Sequence, residues 1–300
     1  MKINYIAYMQ LSVAMFLAGS SVIAGKLLVT IPIFFSQMVS SLIALLIIYP
    51  IARILEGSIA KVKLNKNDIL FLFLQALTGN FLFRIFLIVG LKYTNLLESG
   101  IILGTSPIVF VILSFVFLKE KINRKLVFAV CLCTFGIILL KTTNYTNSNF
   151  TSLSLIGYIL IFLAVISESL FTIFRKKQSY KDKPITTTTI ITFFSFILFC
   201  PPGFYQMINF HCDSLTLIHI TSILYYSIFC SVAAYIFWFL GISKVTVSSA
   251  AVFTGIMPIS SVFLSITLLH EKLYLQHIIG LTLTLVSVYI VNFINIKEAM

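Results

Sequence analysis

Three charged residues within or at the end of long apolar stretches are the strongest candidates for chemistry in this 300-residue chain. They are Arg84, Glu98 and Glu168. An ionisable side chain in a bilayer costs roughly 2.5–3.5 kcal/mol on insertion scales, so such groups usually face the interior of a helix bundle. Arg84 offers five donors in a planar fork, which suits a carboxylate or a phosphate. We therefore expect Arg84 to bind an anionic group of a substrate.

Two polar residues are expected beside Arg84. Asn80 precedes Arg84 by four residues, so the two side chains share a face if the segment is α-helical. Glu98 lies at the outer end of the next predicted helix. Glu98 and Arg84 either form a structural ion pair or belong together to a substrate site, and the sequence leaves both interpretations open.

Glu168 and Glu98 are the two candidates for the carboxylate that couples transport to protons. Glu168 lies in the inner part of an apolar stretch, between Ser167 and Ser169. A carboxylate in a cavity that is alternately wet and dry can take up and release a proton as access changes. The alternative interpretation is that Glu168 reaches cytoplasmic water and pairs with Arg175.

The composition excludes several classes of protein. Hydrophobic residues make up 59% of the chain, charged residues 10%, and mean hydropathy is +1.07. Since soluble domains carry roughly 25% charge, the chain is neither a soluble enzyme, nor a nucleic-acid-binding domain, nor disordered. An intramembrane enzyme would need clustered acids, bases or nucleophiles, and no such motif occurs in the sequence. We therefore predict an integral membrane protein that is not an enzyme and that uses no cofactor or metal.

Ten segments are long and apolar enough to span a bilayer as helices. Their predicted ranges are 5–25, 31–52, 69–91, 96–118, 124–141, 153–174, 185–206, 217–240, 246–269 and 273–294. If the N-terminus is cytoplasmic, the inner loops and ends hold sixteen Lys and Arg residues and the outer ones four. The positive-inside rule therefore predicts a multi-pass protein of the cell (inner) membrane with both termini in the cytoplasm. The formal charge of +12 is thus an orientation signal and not a nucleic-acid patch.

The two halves of the chain repeat one pattern at an offset of 151 residues. Gly104-Thr-Ser-Pro107 matches Gly255-Ile-Met-Pro258, and Leu118-Lys-Glu120-Lys121 matches Leu269-His-Glu271-Lys272. We therefore divide the chain into a first repeat, 1–145, and a second, 146–300. Each repeat has five predicted spans, and because five is odd the second enters the membrane in the opposite direction. Inverted repeats are typical of secondary transporters.

The paired Gly-x-x-Pro elements predict kinks near the bilayer midplane, at Gly104 and Pro107 and at Gly255 and Pro258. Proline removes a backbone donor and frees a carbonyl in the preceding turn. Matched interruptions in both halves are a pointer to a central binding site. The alternative is a pair of packing kinks without a binding role.

The offset also relates the candidate site residues to the other half. Arg84 maps to Tyr235, Asn80 to Ser231 and Glu98 to Ser249, so the charges occur in one half only. Tyr235 and the sole tryptophan, Trp238, are predicted to form an aromatic wall opposite Arg84. The alternative is ordinary packing or contact with lipid.

Taken together, these motifs resemble the EamA family of the drug/metabolite transporter superfamily. The resemblance rests on ten spans, a five-plus-five repeat, the Gly…Pro…Leu-x-Glu pattern in both halves, and a following glycine-containing span (Phe135-Gly136-Ile137 and Ile279-Gly280-Leu281). It implies an all-α fold around a central cavity, and transport driven by protons or by substrate gradients. Many members carry Trp-Gly in span one, where this chain has Phe16-Leu-Ala-Gly19.

Two transport functions are consistent with these features. The first is a secondary active transporter that exports amino acids or similar small metabolites, with the proton as coupling ion. The second is a flippase or exporter of lipid-linked or amphiphilic, drug-like cargo. The expected partners are a small-molecule substrate and membrane lipid, without nucleic acid, and the protein is expected to be a monomer or weak homodimer.

Overall fold

The computed structural model is helical, without a strand in the part of the chain that it describes. The described residues are 5–28, 30–57, 64–93, 102–103, 105–120, 122–141, 152–178, 183–208, 210, 215–269, 275, 278–280, 282–283, 285–287 and 289–290. The helices are α1 (Tyr5–Leu27), α2 (Ile33–Leu55), α3 (residues 66–93), α4 (Ser106–Leu118), α5 (Arg124–Lys141), α6 (Ser152–Lys177), α7 (Pro184–Ile208), α8 (Leu217–Ile242), α9 (Val247–Phe253) and α10 (Ile256–Leu269).

Most of these helices begin and end near the predicted bounds. The first, second, third, fifth, sixth, seventh and eighth predicted ranges agree with helix bounds to within three residues. The fourth range is described from residue 102 onward, and the ninth is divided between α9 and α10. Hydrophobic length therefore located these helices well, because a membrane span is set by the thickness of the bilayer.

Five of the described helical stretches are long and apolar enough to cross a membrane. They are Ile33–Leu55, Lys66–Gly90, Leu155–Lys177, Pro184–Ile208 and Leu217–Ile242. An apolar helix satisfies its backbone hydrogen bonds internally, which is what a bilayer requires of a spanning segment. These helices indicate a multi-pass membrane protein.

Helices α2 and α7 lie side by side in opposite directions and cap each other at both ends. The Gln206 side-chain oxygen accepts hydrogen bonds from the backbone N–H groups of Phe34 (2.8 Å) and Phe35 (3.1 Å) at the start of α2. The Glu56 carboxylate accepts from the N–H groups of Ile185 (3.1 Å) and Thr186 (2.7 Å) at the start of α7. Because the first turn of a helix has unpaired donors, each contact stabilises a helix end and fixes the register of the pair.

Two glycines at matching positions of the repeat permit equivalent close crossings between the halves. A Cβ atom on Gly90 of α3 would lie 2.7 Å from Ile161 Cγ1 of α6. A Cβ atom on Gly241 of α8 would lie 2.6 Å from Leu11 Cγ of α1. The glycines are 151 residues apart and their partners 150, so the third helix of each half packs against the first helix of the other.

The chain leaves regular helix shortly before Pro107 and before Pro258, the two matched prolines of the repeat. The Thr105 N–H donates to Ile102 O (3.0 Å), and α4 begins directly after it, with Pro107 in its first turn. The Thr254 N–H donates to Ala251 O (3.2 Å), and Thr254 and Gly255 form the turn between α9 and α10. Proline suits the first turn of a helix because its missing N–H has no partner to lose there. The position of these interruptions relative to the bilayer stays a prediction.

The glycine crossings lead to a prediction about stability. Replacing Gly241 by Ala should lower the free energy of unfolding, because overpacking costs about 1–3 kcal/mol and exceeds the roughly 1 kcal/mol that alanine gains in helix propensity. We expect the same direction for Gly90→Ala. The measurement is the thermal unfolding midpoint of purified protein in detergent.

A suitable control for both variants is Gly57→Asn. Gly57 has a φ of +87° and nothing within 4 Å of an added Cβ, and asparagine tolerates this left-handed backbone. Gly57→Asn shows the effect of backbone strain without overpacking. Midpoints for Gly241→Ala and Gly90→Ala that match or exceed that of the wild-type protein would contradict the close crossings.

Candidate functional site

A cavity of about 100 Å³ lies in the interior of the bundle, between residues of both halves. Residues of α1, α3, α4, α6, α8 and α10 line it, including six aromatic side chains. Its charged lining residues are Arg84 and Glu168. Since one buried water needs roughly 10–15 Å³ on a comparable measure, the cavity has room for several waters or a small polar group.

Two π-helical segments at matching positions of the repeat carry the cavity residues. The segment Ala76–Leu82 interrupts α3, and Tyr226–Ala233 interrupts α8. Each ends with an N–H that donates to the carbonyl five residues earlier, from Phe83 to Thr78 and from Ala234 to Phe229. Such segments widen a helix locally and recur at functional sites. In both halves the candidate site residue, Arg84 or Tyr235, is the second residue after the π segment.

Arg84 is buried and is held by neutral groups. One guanidinium nitrogen donates to the side-chain oxygen of Gln37 on α2, and the other donates to Ser231 Oγ (3.3 Å). The guanidinium carbon lies 4.7 Å from the centre of the Tyr226 ring, a cation–π contact. Among the described residues, no carboxylate forms an ion pair with Arg84. The predicted partner Glu98 lies outside the described residues, so that pair stays a prediction.

Asn80 supports Tyr235 and does not contact Arg84. The Tyr235 hydroxyl donates to Asn80 Oδ1 (2.7 Å), and Asn80 Nδ2 donates to Ser195 Oγ (2.8 Å) on α7. The segment between Asn80 and Arg84 is π-helical in part, and the two side chains have different hydrogen-bond partners. Tyr235 lines the cavity, whereas Asn80 lies behind it.

The two cross-contacts at the cavity are equivalent under the repeat. Arg84 of the first half donates to Ser231 of the second, and Tyr235 of the second donates to Asn80 of the first. Adding 151 to 84 and to 80 gives 235 and 231. The site is therefore built from one contact used twice, with a charged donor in one half and a neutral donor in the other.

Glu168 lines the cavity and has neither a hydrogen-bond nor an ion-pair partner in the described part of the chain. Its neighbours Ser167 and Ser169 donate to backbone carbonyls of their own helix, four residues earlier. Arg175, the partner considered from the sequence, lies two turns further along α6. It is buried and donates to Gln178 Oε1 (3.1 Å) and Thr187 Oγ1 (3.4 Å).

Trp238 also lines the cavity and is buried. Its indole N–H has no hydrogen-bond partner among the described residues. A buried donor without a partner costs about 1–3 kcal/mol, so the indole is one of the less satisfied groups of this region. The aromatic wall predicted from Tyr235 and Trp238 thus lines the same cavity as Arg84.

Of the predicted kink residues, Pro107 and Gly255 can be compared with the cavity lining, and neither is part of it. Pro107 and Gly255 are placed at the interruptions described above, and their near neighbours Phe110 and Met257 are lining residues. Gly104 and the side chain of Pro258 lie outside what the structure describes. No three His, Cys, Asp or Glu residues among those described are grouped so that they could hold a metal ion.

Two residues that bond to Arg84 and Asn80, Gln37 and Ser195, were not predicted from the sequence. Gln37 and Ser195 lie on α2 and α7, the antiparallel pair outside the cavity, and each contacts a side chain of α3. A large polar side chain in a mostly apolar span could have indicated Gln37 as a contact residue, but Ser195 is a small residue of a common type. Serines and threonines are common in α7 and most donate to their own backbone, so Ser195 had no distinguishing mark.

Sequence comparison reveals relatives that cover most of the chain. It is 34% identical over 285 residues to YetK of Bacillus subtilis, described as an uncharacterized transporter, covering 95% of this chain and 86% of that protein. It is 26% identical to an uncharacterized transporter of Archaeoglobus fulgidus, covering 76% and 79%. A WAT1-related protein of Arabidopsis thaliana is 26% identical, with 84% of this chain and 76% of that protein covered.

A solved structure and a family model also match nearly the whole chain. One protein of known crystal structure superposes with a TM-score of 0.83 at 13% identity, covering 99% of this chain and 100% of that chain, a likeness of fold. The model of the EamA-like transporter family matches the chain twice, over residues 5–142 and 155–293. The protein is therefore a member of the EamA-like transporter family, as its paired motifs predicted.

Proposed function

We propose that this protein is a secondary active transporter that exports amino acids or similar small carboxylate metabolites across the cell's inner membrane. The observation that carries the proposal is the cavity between the halves. It is lined by Arg84, whose hydrogen-bond partners are neutral, and by Glu168, which has no ion-pair partner among the described residues. A carboxylate of the substrate pairs with Arg84, and the aromatic lining receives its apolar part. Family membership supports the transporter role.

The proposed cycle is alternating access by ten spans in two inverted halves. The antiparallel course of the equivalent helices α2 and α7 supports the inversion. So do the paired crossings at Gly90 and Gly241 and the paired contacts of Arg84 and Tyr235. Halves related in this way can exchange conformations, which opens the cavity to one side and then to the other. The excess of Lys and Arg in alternate loops supports cytoplasmic termini.

Glu168 couples transport to the proton gradient in this proposal. It shares a cavity with Arg84 but has no ion-pair partner among the described residues, so its carboxylate is available to a proton or to the amino group of a substrate. A zwitterion would then be held at both ends, with its carboxylate on Arg84 and its ammonium group near Glu168. Proton binding to Glu168 would release the ammonium group.

Replacing Arg84 by Ala tests the substrate site. Loss of hydrogen bonds to a charged group costs about 1.5–3 kcal/mol, so transport efficiency should fall about 10- to 100-fold. The measurement is efflux of radiolabelled amino acids from sealed proteoliposomes containing the purified variant. Arg53→Ala is the matched control, because Arg53 is exposed at the end of α2 and far from the cavity lining.

The same experiment separates the two cargo classes. Near-wild-type efflux by a folded Arg84→Ala variant would contradict a carboxylate site at Arg84. Absence of amino-acid transport by the wild-type protein, with movement of a fluorescent lipid or amphiphilic dye instead, would favour the flippase interpretation.

Replacing Glu168 by Gln tests proton coupling. Glutamine keeps the size and polarity of the side chain but cannot release a proton. Wild-type efflux should accelerate when protons are more concentrated on the side opposite the substrate, and Glu168→Gln should lose this acceleration. The measurement is efflux with and without an imposed pH gradient, with Glu56→Gln as a control that changes a carboxylate outside the cavity. An unchanged response of Glu168→Gln would reassign the coupling to Glu98.

A further inference from the structure

We propose that Gln37 is a positioning residue that sets the charge selectivity of the cavity, by holding Arg84 with a neutral acceptor. This inference rests on the proposed function, because it concerns how Arg84 recognises a carboxylate. Gln37 is not a lining residue of the cavity and acts through Arg84. Its effect on selectivity comes from what it lacks, a negative charge.

The position of Gln37 is fixed from several directions. Its side chain is 4% exposed, and its oxygen accepts from the Arg84 guanidinium. One turn further along α2, Ser40 Oγ lies 3.0 Å from Ser227 Oγ in the π segment of α8. The two helix-end caps described above hold α2 against α7. Since arginine has only donors, the Gln37 amide must present its oxygen to it.

The hydrogen-bond and ring partners of the guanidinium among the described residues are uncharged. Besides Gln37 they are the Ser231 hydroxyl and the Tyr226 ring, and the Tyr235 hydroxyl also interacts with Arg84. The Glu168 carboxylate lines the same cavity but forms no ion pair with Arg84 in the described structure. The uncharged groups solvate a cation without cancelling its charge. A glutamate at position 37 would differ from glutamine by a single group. Its carboxylate would be an internal counter-ion for Arg84 and could accept two charge-assisted hydrogen bonds from the guanidinium. A ligand carboxylate would then have to displace a tethered one.

Neutral solvation of Arg84 therefore makes a specific difference to ligand choice. With Gln37, Arg84 gains a cation–anion interaction when an anion enters, and Glu168 is the same in the wild-type protein and in every Gln37 variant. With an acidic residue at position 37, Arg84 gains none, and a carboxylate and its amide become nearly equivalent ligands. A purely structural role of Gln37 predicts a different result, because loss of packing would weaken both ligands alike.

Binding of benzoate and benzamide tests this difference, since the two have almost the same shape. Trp238 is the only tryptophan and lines the cavity, so its fluorescence reports binding there. Wild-type protein in detergent should bind benzoate roughly tenfold or more tightly than benzamide. Gln37→Glu should reduce this ratio to within about twofold of one. Gln37→Met should keep the preference, because it removes an acceptor without adding a charge.

A matched control exists at the surface. Gln10 Oε1 accepts from Lys244 Nζ (3.3 Å) away from the cavity, so Gln10→Glu makes the same change beside a different cation and should leave the ratio unchanged. If Gln37→Glu does not fold, Gln37→Asp places the same charge on a shorter side chain and carries the same expectation.

Two results would overturn the inference. One is a wild-type protein that binds benzoate no better than benzamide, and the other is a folded Gln37→Glu or Gln37→Asp variant that keeps the preference. Both are distinguishable from failure of the proposed function, which is read from amino-acid efflux in liposomes and not from benzoate binding. Efflux that needs Arg84, together with an unchanged preference in Gln37→Glu, would retain the transporter and reject the role of Gln37.

Discussion

Keeping a guanidinium in the apolar interior of a helix bundle is the constraint on which the rest of this site depends. A buried cation is costly unless hydrogen bonds replace the water that it loses. Here the replacement comes from two other helices, because Gln37 lies on α2 while Ser231 and Tyr226 lie in the π segment of α8. The buried polar side chains Gln37 of α2 and Ser231 of α8 therefore serve as hydrogen-bond acceptors for Arg84 of α3. Because none of these partners is charged, the electrostatic requirement of Arg84 is met only in part.

The repeat supplies the geometry, and divergence between its halves supplies the chemistry. The close crossings at Gly90 and Gly241 are equivalent, and so are the donors Arg84 and Tyr235 with their acceptors Ser231 and Asn80. Packing of this kind allows little variation, since an added methylene in a dense interior costs energy. The donor position tolerates both arginine and tyrosine because each reaches across the same gap to a small polar side chain. A scaffold of two similar halves can thus carry a charge in one half alone.

The helices and some of the cavity residues could be predicted from the sequence, for different physical reasons. Helix bounds follow from hydrophobic length, a local property. The offset of 151 relates Arg84 to Tyr235, and both line one cavity together with Trp238. The π segments could not be found in this way, because the same residues would satisfy an α-helix and the wider turn depends on packing against other helices. Asn80 and Arg84 lie on one helix but bond to different partners, which their four-residue spacing could not show. Gln37 was missed because nothing in the order of residues along α2 indicates that α3 lies against it.

The partners of Arg84 also connect ligand binding to the contacts between helices. A ligand can shift a conformational equilibrium only if it binds the two states differently. In the proposed cycle, a carboxylate that enters the cavity competes with Gln37 and Ser231 for the donors of one guanidinium, so it weakens contacts that join α3 to α2 and to α8. The α2–α7 pair is capped at both ends, and the glycine crossings are tightly packed. The contacts of Arg84 are thus where binding energy can be converted into movement of α3 against α2 and α8.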